Sequence, residues 1–339
     1  MAKKTGESLV YLDLMRVVTV FALILLFLAQ SGSGTVFDTY EGFTCWAVPG
    51  FLMLCGAFAM ERGDSLRGAL LNLVLPTFIA LVVWSAIYGV AASLLSGAGV
   101  SLAGVWAELK SAALGNTESH LWLLYILLGL YLMTPILGRF AQAADRGELV
   151  YFLVMALLFG GVLPICQSLY PNAVWVTLLE RLHIHTVVCY AGCYLAGYYF
   201  RVFTISRVSE ILLYILGIVG LVVTFWGSRM FGGDSSLWRS YTAPNVTLTA
   251  IAFFVLFRYL LGISEERSRR QGMHRLGAAA LGIYLIHPLC LLILGHFGIS
   301  VHSFPAVISI PVLALAVFLL CIPFALLRGL LPWVRRGEL

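Results

Sequence analysis

Residues 16–30 read RVVTVFALILLFLAQ: one arginine, then thirteen residues with nothing more polar than Thr19, then Gln30. Together with the residues just before it, the stretch forms an apolar run over 9–29, about the 20 residues that carry an α-helix across a ~30 Å hydrocarbon layer. It is long for a secretory signal, lacks a clear small-residue cleavage site and is followed by many similar runs, so it is expected to be a retained first span. Nine further runs cover 43–60, 70–94, 121–138, 149–169, 186–200, 209–227, 243–262, 278–298 and 306–328. With 61% hydrophobic and 11% charged residues, the fold class is all-α and polytopic, with about ten transmembrane helices. No linker, low-complexity stretch or internal repeat divides the chain, so residues 1–339 are expected to form a single integral membrane domain.

Charge placement supports the count of ten, because cytoplasmic loops retain Lys and Arg. Alternating the spans puts sixteen basic residues on one side, among them Arg62, Arg146, Arg201, Arg258 and Arg275, and four on the other: Lys110, Arg181, Arg229 and Arg239. Both termini are therefore expected in the cytoplasm. Loops facing anionic lipid account for the net charge of +5, and no nucleic-acid partner is implied.

Asp13 and Arg16 stand three residues apart inside the first span, close enough to meet on one helical face. Ionisable groups at membrane depth are costly, so a functional role is their default reading, with a purely structural pair as the alternative. Eleven residues on from Arg16, three turns plus ~20°, Phe27 shares its face ~16 Å along the axis. Two histidines stand in informative surroundings. His120 begins the fourth span, and His287 lies near the middle of the ninth, just before Pro288. A neutral imidazole can take a proton from a hydroxyl, or it can simply hydrogen-bond a neighbour.

Substrate-binding candidates are Arg181, His183, Trp238, Arg239 and Tyr241 in the outer segments and Trp122 at the start of the fourth span. Aromatic rings mixed with hydrogen-bonding groups suit the faces and hydroxyls of a sugar, and equally suit a membrane interface. The most basic stretch, ISEERSRRQGMHR at 263–275, reads either as a phosphate-binding segment or as an anchor on anionic headgroups. Seven cysteines fall mainly in apolar runs without CxxC spacing. His185, Cys189 and Cys193 share a helical face, but with no carboxylate or second cluster beside them no metal site is expected.

Five segments resemble the membrane acyltransferase 3 family, particularly its short bacterial members that O-acetylate surface polysaccharides. They are YLDLMRVV (11–18), WAVPGFLMLCGAF (46–58), LVLPTFIALVVWSAIY (73–88), SHLWLLYILLGLYLMTPIL (119–137) and LGIYLIHPL (281–289), with a weaker likeness in LWRSYTAPNVTLTAIAFFVLF (237–257). The resemblance implies an O-acyltransferase of the bacterial cytoplasmic (inner) membrane. Such a protein takes an acyl group, usually acetyl, from acetyl-CoA and passes it to a hydroxyl of a polysaccharide or lipid-linked saccharide. It implies no metal, and it implies membrane lipid and polysaccharide-synthesis machinery as partners. Carried over by position, Arg16 is the family's first-helix arginine, a donor contact together with Asp13, and His120 and His287 are its fourth- and ninth-span histidines. The family pattern places a histidine after ten intervening residues, where this chain has Phe27. Phenylalanine exchanges no proton, so His120, entering from the side of position 27, is the expected substitute base, and His287 is next. The same departure leaves a non-catalytic transporter or scaffold for a glycan or acyl donor as the alternative.

Overall fold

The computed structural model describes residues 10–63, 65–95, 103–104, 106–107, 110, 121–182, 184–260 and 271–328. Its principal helices, in chain order, are α1 (Val10–Gln30), α2 (Thr35–Ala59), α3 (Leu66–Leu95), α4 (Trp122–Ala143), α5 (Arg146–Leu169), α6 (Val174–Glu180), α7 (Ile184–Val202), α8 (Arg207–Phe231), α9 (Ser235–Trp238), α10 (Pro244–Tyr259), α11 (Gln271–His296) and α12 (Ala306–Arg328). Among the described residues no strand occurs. Among the described residues eight helices, α1 to α5, α8, α11 and α12, are long and apolar enough to cross a membrane. The other two expected spans also form helices. However, α10 has 16 residues, short for a hydrocarbon layer, and α7, rich in tyrosine, is less apolar.

The structure divides into two compact units. One combines the described residues up to Gly63 with those from Ile136 to Ala278; the other combines 65–135 with those from Ala279 onward. In the first unit, α2 and α7 pack through small residues. A Cβ added at Gly56 would fall on the carbonyl oxygen of Tyr194, and one added at Gly197 on that of Met53. Only glycine permits backbones to approach this closely, and between apolar helices in lipid such contact, rather than water exclusion, is what drives association. α8 and α10 meet similarly, Gly217 facing the Ala252 methyl. Asn245 ties this pair with Nδ2 bonds to Thr224 Oγ1 (2.8 Å) and the Trp238 carbonyl (2.6 Å).

One end of this unit is built from helix C-termini whose last carbonyls accept side-chain donors, as orphan carbonyls require. Arg201 donates to the Ala57 carbonyl at 3.0 Å and pairs with Glu61. Arg258 donates to the carbonyls of Phe203 (2.7 Å) and Phe200, and Gln142 to that of Met60 (2.7 Å). The N-terminal part of α1 joins the same end, since Arg16 and Arg201 share the Phe58 ring.

In the second unit the phenol of Tyr88 on α3 donates to the Leu285 carbonyl of α11 at 2.6 Å. Gly282 faces the Ala325 methyl of α12. α11 contains Pro288 and α12 contains Pro311 and Pro323. Proline lacks the N–H that the carbonyl four residues earlier needs, so each leaves a carbonyl for another donor.

Candidate active site

Asp13 is fully buried and Arg16 nearly so. The expected pairing exists: Arg16 Nη1 donates to Asp13 Oδ1 at 3.2 Å. Two further contacts were not legible in the sequence. The Arg16 guanidinium lies 3.7 Å from the centroid of the Phe58 ring, a cation–π contact that partly replaces lost hydration. The second carboxylate oxygen, Asp13 Oδ2, is 3.3 Å from His274 Nδ1, near the start of α11. That approach needs Gly277, one turn further along α11, where an added Cβ would stand 2.7 Å from both Cβ and Oδ1 of Asp13. The result is a buried carboxylate shared by a guanidinium and an imidazole, at the end of the unit where Arg201 and Arg258 also sit.

A carboxylate can only accept, so His274 donates through Nδ1–H, and in the neutral ring Nε2 carries the lone pair. The side chain is 46% exposed, so this nitrogen belongs to a group that reaches out of the packed interior while Asp13 holds it from within. Chemically the arrangement can accept a proton at Nε2, stabilise the resulting imidazolium through Asp13 and present positive charge from Arg16.

His287 lies in the other unit and is fully buried. Its Nδ1 donates to the Tyr284 carbonyl at 2.6 Å. This is the carbonyl that Pro288, lacking an N–H, leaves without its usual helical donor, so the His-Pro pair has a local structural explanation. The same bond sets the tautomer with Nε2 as acceptor. His120 and His183 lie outside the described residues, as do the side chains of His185 and Cys189. Phe27 is half-buried on α1.

Among the sugar-site candidates, Arg239 and Tyr241 come together at the other end of the first unit. Arg239 Nη1 contacts Asp38 Oδ1 (2.7 Å) and Glu41 Oε2 (2.8 Å), and its Nη2 donates to Ser235 Oγ (2.9 Å). Gln30 Nε2 donates to the Tyr241 hydroxyl (2.6 Å) and to Glu41 Oε1 (3.2 Å). Burial pushes the Tyr241 phenol above its ordinary range, only partly offset by the Gln30 donor, so it stays neutral at physiological pH. Trp238 is committed to packing: it is buried, donates Nε1–H to the Gly232 carbonyl at 3.0 Å and covers Gly227. Trp122 is half-buried and Arg181 exposed. Replacing Arg239 by methionine is expected to cost about 1 kcal/mol, since Asp38 is open to water while Glu41 is less so. A thermal midpoint lowered in Arg239→Met and partly restored in the Arg239→Met/Glu41→Gln double variant checks this.

A protein-family model described as an acyltransferase domain matches residues 9–327, nearly the whole chain. The chain belongs to the acyltransferase 3 family. Comparison with curated proteins and with solved structures gives no match. Family membership and the apolar helices together support a membrane acyltransferase in general terms. Within the acyltransferase 3 match fall Asp13, Arg16 and His274. Among the described residues no group of three or more His, Cys, Asp or Glu is placed to hold a metal ion.

His274 was missed because it sits at the end of the basic stretch 263–275, where arginines dominate the reading, and its partner is 261 residues away. The available signal was Gly277: a small residue three positions on, in the second turn of an apolar helix, marks the face that approaches another backbone. The first unit also holds a cavity of about 300 Å³ among α5, α7, α8 and α10. Its walls are largely apolar, including Leu153, Leu157, Ala196 and Leu213, with Arg146 at one end donating to the Tyr199 hydroxyl at 3.1 Å.

Proposed function

We propose that the protein is an O-acyltransferase of the bacterial inner membrane. It moves an acetyl or other short acyl group from acyl-CoA to a hydroxyl of a surface polysaccharide or lipid-linked sugar. The observation that carries this reading is the buried Asp13–Arg16 pair in a chain matched throughout by the acyltransferase family. A charged pair at such depth is expensive relative to an apolar one and is best explained by chemistry that needs it. The basic end of the first unit faces the cytoplasm in this reading, with both termini there, and receives the acyl donor. Arg16 supplies a fixed positive charge for a donor phosphate or for the thioester oxygen as negative charge develops on it. The burial of Arg16 strengthens that contact. The cavity ending at Arg146 favours a lipid-linked acceptor over a soluble one, because an apolar slot with one cation suits a chain attached to a phosphate.

His120 and His287 remain candidate bases by position, and Phe27 contributes none. Transfer of label from radiolabelled acetyl-CoA to the saccharide of membranes containing this protein, beside its Phe27→His variant, tests the proposal. Wild-type protein is expected to transfer label with release of free thiol, and Phe27→His to change the rate only slightly. Transfer seen only in Phe27→His would mark a chain that has lost its base. Binding of acetyl-CoA without thiol release in either would favour the non-catalytic reading, a carrier or scaffold for glycan or acyl donor.

A further inference from the structure

We infer that His274, positioned by Asp13, is the residue that takes the proton from the acceptor hydroxyl, and that transfer takes place at the Asp13 end of α1 rather than at the Phe27 end. The inference rests on the acyltransferase reading above and adds to it the proton acceptor and the place of reaction. Three observations carry it. Asp13 is fully buried yet spends one oxygen on Arg16 and the other on His274. Gly277 is the residue type that lets α11 come near enough for this contact. His274 itself is half open, whereas the carboxylate that orients it is sealed, which is the arrangement required of a base that must meet a substrate repeatedly in one tautomer. Position 27 lies 14 residues from Asp13, ~21 Å along the helix axis, so the two ends of α1 cannot serve one reacting centre.

The step balances without a further reactant. The acceptor oxygen attacks the thioester carbonyl carbon as its proton passes to His274 Nε2. Asp13 steadies the imidazolium through Nδ1–H, and Arg16, on the other carboxylate oxygen, holds Asp13 in place. The carbon–sulfur bond then breaks, the departing thiolate takes the proton back from Nε2, and CoA leaves as the thiol with His274 neutral again.

The test uses membrane vesicles holding the full-length protein, radiolabelled acetyl-CoA and their endogenous saccharide, with variant amounts equalised by quantitative blotting. His274→Asn keeps a donor for Asp13 but cannot accept a proton. It is expected to lower the rate a hundredfold or more while the KM for acetyl-CoA stays within about threefold. His274→Ala is expected to recover at least about tenfold of its lost rate with added imidazole, which the open side of the position admits. A His274→Asn rate near wild type overturns the assignment, as does a loss confined to KM or a His274→Ala that imidazole does not restore. Label transfer absent from wild type overturns the acyltransferase reading itself and this inference with it. Transfer by wild type alongside undiminished transfer by His274→Asn overturns His274 alone.

Discussion

Gly197→Ala is expected to destabilise the first unit by about 3 kcal/mol or more, at the upper end of what overpacking costs. The added methyl would land on the Met53 carbonyl oxygen, and Gly56→Ala would do the same at the Tyr194 carbonyl oxygen. A flexible side chain could swing aside; a backbone oxygen held in a helix moves only if the helix moves. Separating α2 from α7 would also disturb the Arg201 bond to Ala57 and the shared Phe58 ring. The check is the thermal midpoint of detergent-purified protein. Gly129→Ala serves as the control, since nothing lies within 4 Å of its added Cβ, and replacing a helical glycine there is expected to be neutral or stabilising by up to about 1 kcal/mol. Equal midpoints for Gly197→Ala and Gly129→Ala would mean that the close crossing of α2 and α7 does not exist.

That crossing shows where reading the sequence stops. Apolar runs located most helices within a few residues: 9–29 became Val10–Gln30 and 306–328 became Ala306–Arg328. The second run, 43–60, is the C-terminal part of a longer helix, Thr35–Ala59. Its first turns were hidden by Asp38 and Glu41, which are there to meet Arg239. The i, i+3 pairing of Asp13 with Arg16 was legible because helix geometry alone determines it. Its partners were not: Phe58 and His274 reach α1 from other helices, and no local pattern encodes which helix lies beside which. His287 was legible as unusual but not as to its role, because the effect of Pro288 on the Tyr284 carbonyl appears only once the ring nitrogen is placed.

Arg16→Met is expected to cost about 3–5 kcal/mol, the usual penalty for removing one member of a buried ion pair. Asp13 has no exposed surface, so its carboxylate would lose its guanidinium with no water to take its place. Arg16→Lys retains charge but not the planar fork or the stacking on Phe58, and is expected to fall between the two. Removing both charges should behave differently. In Asp13→Asn/Arg16→Met no charge is left buried, and the Asn carbonyl still accepts from His274. Stability is therefore expected within about 1–2 kcal/mol of wild type, as replacement of buried ion pairs by neutral groups commonly gives. Thermal midpoints of Arg16→Met, Asp13→Asn and the double variant in the same detergent form a cycle that isolates the pair energy.

The double variant also separates stability from chemistry, and thiol release from acetyl-CoA is the measurement that does so. Membranes holding equal amounts of folded wild-type and Asp13→Asn/Arg16→Met protein are given acetyl-CoA, and free CoA is followed over time. Wild type is expected to release thiol in step with acetylation of its saccharide. The double variant, equally folded, is expected to release at least a hundredfold less, because both the donor's fixed cation and the negative charge that stabilises the His274 imidazolium are gone. Thiol release at the wild-type rate from the double variant would contradict the account, for the buried pair on the first helix would then have no part in acyl transfer.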